Sequence, residues 1–289
     1  MSAIGIIGGT GLSSLPGFQA EEEAAVATPF GNPSAPLILG RLAGRQVVFL
    51  ARHGPGHRIA PHEINHRANL WALRMQDVRF IVSVSAVGSL REELAPGTAV
   101  LPLQFFDRMS RRDQHTFFGN GIVAHVAFGD PVSPYLVKIL ALACREAGVP
   151  FHEGGVYVCM DGPAFSTRAE SLAWRQLGGD IIGMTNLPEA KLAREAEIAF
   201  ATVSMVTDYD CWKTDAPPVS AEEVLSRVRD NAQLALRILE CAIPRIPTDP
   251  CWPEHHALDA AFATPREAWP AETCSRLRPL LERFLHRSG

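Results

Sequence analysis

This chain of 289 residues has no apolar run near the roughly 20 residues that a membrane-spanning helix requires. Nor has it a basic run of the kind that tracks a phosphate backbone. Its formal net charge of -4 argues against nucleic acid or an anionic membrane as the main partner. Cysteine is scattered: Cys144, Cys159, Cys211, Cys241, Cys251 and Cys274 form no C-x-x-C pair and no cluster with histidine. A zinc site and a disulfide framework therefore both lack support, and no metal or organic cofactor is expected. Ile4-Gly5-Ile6-Ile7 follows the start without a positive flank or a cleavage site, so the cytoplasm is the expected compartment. No internal repeat or low-complexity segment is present.

What the chain does have is a hydrophobic content of 47% against 20% charged residues, the balance of a soluble globular protein long enough for a full core. Ile198 to Thr207 is apolar and β-branched enough for a strand buried on both faces, and it runs into Asp208 and Asp210. If the backbone stays extended, both acids point to one side, because side chains alternate with period two. Two like charges there would raise at least one pKa above the usual value of about 3.9. The plainer alternative is that these acids cap a turn or pair with arginines.

Other strand ends share this small, polar character. Ala3 to Ile7 leads into Gly8-Gly9-Thr10-Gly11, where the backbone can approach an anion and Thr10 adds a hydroxyl. Ser14 stands where a dinucleotide fingerprint needs its third glycine, and no P-loop lysine follows. Val47 to Ala51 runs into Arg52-His53-Gly54, a fork of donors suited to phosphate oxygens. Histidine phosphatases also carry Arg-His-Gly after a strand, but close to the N-terminus. Phe80 to Val87 ends in Ser85-Ala86-Val87-Gly88. Gly155 to Met160 leads to Phe165 and Ser166, Phe165 being placed to stack on a flat ligand or to fill the core. His125 reads as a core residue.

Helices are predicted over Pro61–Asp77, with Ile64, Ala68, Trp71 and Met75 buried, and from a capping hydroxyl at Ser133 to Gly148. Capping boxes at Thr167-x-x-Glu170 and Ser220-x-x-Glu223 start two more. The first would bury Ala169, Leu172, Ala173 and Leu177; the second would run to about Ala242. A long loop is expected over Asp107–Asn120, and short helices over His256–Ala263 and Leu277–Leu285. The alternation predicts an α/β fold with a mostly buried central sheet flanked by helices. That domain would span residues 1–243, with a proline-rich connection and helical tail over 244–289 packed on it.

Six motifs in order carry a resemblance: Ile6-Ile-Gly-Gly-Thr-Gly-Leu12, Ala51-Arg-His-Gly54, Gly88-Ser-Leu-Arg91, Gly162-Pro-x-Phe-Ser166, Met184-Thr185 and Thr207-Asp-Tyr-Asp-Cys-Trp212. Together they resemble the trimeric purine nucleoside phosphorylase family, in its methylthioadenosine-cleaving branch. The resemblance implies a single domain whose central sheet is mixed and partly barrel-like, and a homotrimeric transferase that uses inorganic phosphate as co-substrate. It assigns phosphate binding to Thr10, Arg52, His53, Ser85, Ala86 and Thr185, and base or ribose contacts to Phe165, Ser166, Met184, Asp208 and Asp210. Asp208 becomes the candidate acid, tuned by Asp210. Enzymes preferring 6-oxopurines carry Glu at the position of Ser166 and Asn at that of Asp208. Val224, with Leu225 and Ala221, would wall an apolar 5′ pocket closed by His125 of a neighbouring subunit. The rivals of this reading are a methylthioinosine or 6-oxopurine phosphorylase, an Arg-His-Gly histidine phosphatase, and a nucleoside-binding protein without turnover, against which the intact acid and phosphate set count.

Overall fold

Two long strands form the spine of the molecule. They are β5 (Val78–Ser89) and β11 (Ala199–Asp208), which pair in parallel from Ala199 opposite Phe80 to Asp208 opposite Gly88. Residues 2–9, 17–110, 114–214 and 221–285 of the computed structural model are described below, those of 221–226 by backbone alone. Thr10 and the side chains of Ala221, Val224 and Leu225 lie outside the described residues, as does the Ser220 cap.

The remaining strands are β1 (Ala3–Gly8), β2 (Gln19–Ala24), β3 (Leu37–Leu42), β4 (Arg45–Ala51), β6 (Ala99–Leu101), β7 (Gln104–Arg108), β8 (Phe151–Glu153), β9 (Val156–Met160) and β10 (Ile181–Gly183). All belong to one sheet, ordered β2-β3-β4-β1-β5-β10-β9-β7, with β11 joining β5 to β6 and β6 joining β8. β5 thus serves three partners: β1 along its first half, β10 at its end, and β11 throughout. One flat sheet cannot give a strand three neighbours, so the sheet splits and curls around β5.

Period-two alternation then decides what lies on each side. Phe80, Val82 and Val84 of β5, with Ala201 and Val203 of β11, meet Leu136 and Leu140 of α2 (Pro134–Glu146) and Leu239 of α5 (Ala221–Ala242). Ile81 and Phe200 face the other way. They join Leu70 and Leu73 of α1 (His66–Met75), Ala190 and Ala193 of α4 (Asn186–Glu195), and the tail through Leu281 and Phe284. Each Val, Leu, Ile or Phe among these contributes about 1.5–3 kcal/mol on burial. The tail helices are α6 (Ala271–Arg276) and α7 (Arg278–Leu285); the helix expected over His256–Ala263 does not form, and a 3-10 turn over Pro253–His256 ends where it would begin.

Several predictions from periodicity need correction. β2 and β3 add an antiparallel edge that alternation did not reveal, because β2 is exposed along nearly its whole length. β7 takes the start of the expected loop, pairing with β9 through Arg108. Met75 ends α1 and is 43% exposed, beyond the stripe that packs. Ser133 sits at the α2 cap position, yet its buried hydroxyl makes no hydrogen bond. The Thr167–Glu170 capping box does start a helix, α3 (Arg168–Gln176). However, α3 buries only Ser171, leaving Leu172 and Leu177 exposed.

Candidate active site

The ends of β4, β5, β9, β10 and β11 meet around one cavity of about 370 Å³. β1, β4, β5 and β11 run parallel, so Arg52, Ser85–Gly88 and Asp208 are delivered to the same edge of the sheet. β10 runs antiparallel to β5, which carries Met184 and Thr185 back alongside Ala86 and Ser85. The loop after β9 adds Phe165 and Ser166. Arg52, His53, Ser85, Ala86, Phe165, Ser166, Met184, Thr185, Asp208 and Asp210 all line this cavity.

At the acidic end, local geometry differs from the extended arrangement that the spacing suggested. A β-bulge at Thr207 shifts the register between Val206 and Asp208. Bulges re-aim side chains, and here Asp208 turns toward the cavity. The strand stops there. Asp210 has left-handed backbone (φ 50°), and its N–H donates to Asp208 Oδ1 at 2.8 Å, while Thr207 Oγ1 donates to Asp208 Oδ2 at 2.7 Å. The acid does cap a turn and still faces the cavity. Gly88 permits this approach: a Cβ there would lie 3.2 Å from Asp208 Oδ1 and 3.3 Å from Asp210 Cβ.

Both carboxyls are held above the ordinary aspartate range, and burial is the main cause in each. Repulsion from Asp208 adds to the rise at Asp210 but is minor, so the like-charge explanation is secondary. Asp210 Oδ2 is buried without a hydrogen-bond partner; the Ser166 and Ser171 hydroxyls oppose the rise from nearby. Trp212 anchors the turn, donating to Ser89 O at 2.8 Å beneath the Arg175 guanidinium. Phe165 is 51% exposed at the cavity mouth, which discards the core role.

At the other end Arg52 is almost fully buried. Its Nη1 donates to Ser83 Oγ at 3.0 Å and Glu189 Oε1 at 2.9 Å, and its Nη2 to Val84 O at 3.0 Å. Gly9 must lack a side chain for this, since a Cβ would come within 2.6 Å of Val84 O and strike the guanidinium. His53 contacts Ile59 O through Nδ1 at 2.9 Å and lies 4.2 Å from the His57 ring. Burial and then Arg52 lower the His53 pKa to about 3, so the ring is neutral at pH 7. Thr185 precedes α4 without a side-chain cap bond and lines the cavity where that helix presents its N-terminus.

Sequence reasoning missed His57, Thr207 and the Glu189–Asn186–Ser83 network. The signal for the network was Ser83 and Ser85, two apart on one face of an otherwise apolar strand. His125 is exposed on an irregular segment, its N–H bonded to Ala261 O at 2.7 Å, so the core role read from its apolar neighbours does not hold. It does not line the cavity of this chain.

Residues 3–244 match the family model described as the phosphorylase superfamily. The chain belongs to that superfamily. The match excludes the Arg-His-Gly phosphatase reading, in which fold and motif position would both differ. Among relatives of this phosphorylase-superfamily chain is an S-methyl-5'-thioadenosine phosphorylase of Koribacter versatilis, 50% identical over 97% of this chain and 96% of the relative. Another, from Geobacter sulfurreducens, is 48% identical over 95% of this chain and 96% of the relative. A crystal structure of a methylthioadenosine phosphorylase from an antarctic soil metagenomic library superposes with a TM-score of 0.91 at 47% identity, covering 97% and 99% of the two chains. The Schistosoma mansoni methylthioadenosine phosphorylase bound to adenine gives 0.85 at 35% identity, over 90% and 97%.

Proposed function

We propose that the protein catalyses phosphorolysis of 5′-methylthioadenosine, giving adenine and 5-methylthioribose 1-phosphate. The observation that carries this reading is the joining, in one cavity, of the Arg52–His53 end to two buried carboxylates beside an exposed Phe165. A phosphate oxygen attacks the anomeric carbon as its bond to the purine nitrogen breaks, and the bonding pair leaves with the base. Asp208 supplies a proton to the imidazole edge of the purine, a task its raised pKa suits. The 6-amino group offers hydrogens that the Asp210 carboxylate can accept, whereas a 6-oxo group offers none. Met184 lies beneath the sugar, and Thr10, Arg52, His53, Ser85, Ala86 and Thr185 surround the phosphate. The anion beneath the ring stabilises the cation-like sugar of the transition state. Phosphate is a co-substrate, and the reaction as written needs no metal or organic cofactor.

The same reading makes the active form a homotrimer. Leu172 on α3 and Leu177 just past its end leave exposed apolar surface, and exposed His125 can reach the 5′ end of a neighbour's cavity. Ala221, Val224 and Leu225 complete that 5′ pocket in this reading. The test is phosphate-dependent adenine release from methylthioadenosine, run beside adenosine, inosine and methylthioinosine. Release confined to the two aminopurine nucleosides is expected. Base release without phosphate, or preference for the inosine series, refutes the reading.

A further inference from the structure

Arg52 is the one Lys or Arg among the described residues lining the cavity, and an anionic partner inside the protein already occupies it. Glu189 lies in the first turn of α4, 1% exposed, and Arg52 is 2% exposed. Their network is closed on the carboxylate side: Glu189 Oε1 takes Arg52 Nη1, while Oε2 accepts from Ser83 Oγ at 2.7 Å and Asn186 Nδ2 at 3.0 Å. Ser83 Oγ in turn accepts from Arg52 Nη1 and from Asn186 Nδ2 at 3.0 Å. Of the guanidinium, Nε alone is buried with no partner. Asn186 also fixes Ser85, whose hydroxyl donates to Asn186 Oδ1 at 2.7 Å.

A buried pair of opposite unit charges 2.9 Å apart presents little net charge to a ligand beyond it. His53 adds none, being neutral at pH 7. The donors left for an anion at this end are then hydroxyls, the backbone N–H groups at the start of α4, and Arg52 Nε, whose guanidinium charge Glu189 already balances. Such a cradle orients phosphate by hydrogen bonds yet leaves its negative charge largely uncancelled. A cradle with a free cation would bind phosphate more tightly and blunt its attraction for the developing sugar cation. Interactions stronger in the ground state than in the transition state do not raise kcat.

We infer that Glu189 is a positioning residue that neutralises Arg52 and so keeps the phosphate cradle charge-neutral, trading phosphate affinity for turnover. This rests on the phosphorolysis proposed above. The test is Glu189→Gln, nearly identical in shape, assayed with saturating methylthioadenosine and varied phosphate, with sulfate as a dead-end competitor. Phosphate KM and sulfate Ki are expected to fall about tenfold, as removal of one nearby charge implies, while kcat also falls. Glu189→Asp keeps the charge and should hold phosphate KM within about threefold of wild type. A residue that merely aligned Arg52 would raise phosphate KM in both variants, and that result, or an unchanged KM in Glu189→Gln, overturns the inference. If Glu189→Gln does not fold, a tenfold rise of phosphate KM in Glu189→Asp is sufficient to overturn it. Wild-type protein that releases base without phosphate would instead refute the underlying activity.

Discussion

At the residue scale, the proposed chemistry rests on what burial does to a carboxyl. Asp208 is the group for which isosteric substitution is most informative, because its two oxygens accept from Asp210 N–H and Thr207 Oγ1 inside the protein. Asp208→Asn keeps the shape but removes the transferable proton. We expect kcat for adenine release to fall by about 10²–10⁴ with little change in phosphate KM. A variant retaining full kcat would remove Asp208 from the acid role. His66 offers a contrast. It is buried with both ring nitrogens unpartnered, and its pKa is pushed well below the ordinary value, first by burial and then by Arg52. A neutral imidazole always carries one N–H, whose unmet hydrogen bond costs about 1–3 kcal/mol. His66→Phe should therefore leave the unfolding free energy in denaturant unchanged or higher. A clear loss would mean that the imidazole has a partner in solution.

At the element scale, α4 carries two buried acids with different fates. Glu189 in its first turn is ion-paired, whereas Glu195 in its last turn has only neutral donors, Thr116 Oγ1 at 2.8 Å and Phe117 N–H at 2.7 Å. Burial raises the Glu195 pKa from 4.5 to about 7 against those two hydrogen bonds. At Glu195 the folded state then binds more protons than the unfolded state between these values, so this group's contribution to stability is greatest below pH 4.5, falls through this window, and levels off above pH 7. Glu195→Gln should flatten that slope and gain on the order of 2–3 kcal/mol at pH 8. Denaturant titrations at pH 5 and pH 8 measure it, and an unchanged slope would show that Glu195 is not its source. α3 shows how local chemistry starts an element. Thr167→Ala removes the Oγ1 acceptor of the Glu170 N–H and should cost about 1 kcal/mol of stability. Because the Phe165–Ser166 loop feeds directly into this cap, nucleoside KM should rise as well.

At the scale of the whole molecule, the apolar stripe predicted to bury α3 in its own chain faces outward, and a second copy is the proposed cover. Leu172→Asp should then lower the solution mass from three chains to one, measured by sedimentation or light scattering. The separated chain should remain folded and lose activity on methylthioadenosine. Persistence of the trimer would place the interface elsewhere. The elements themselves were legible in the sequence wherever they are periodic and buried: β1, β4, β5, β9, β10 and β11 lie where apolar runs end in small or polar residues. These patterns are local, since a side chain's direction along a strand depends only on its own backbone. That locality also brought Arg52, Ser85, Phe165, Thr185 and Asp208 to notice as strand-end residues. The exposed edge strand β2 escaped because it buries nothing that alternation could record. Only the tertiary structure decided which partner each site group meets. Glu189, 137 positions from Arg52, became its counter-ion because α4 folds back over the serine face of β5. The aim of Asp208 depends on a one-residue register shift against that same strand. Pairing across such distances depends on which faces the sheet brings together, and no local pattern encodes it.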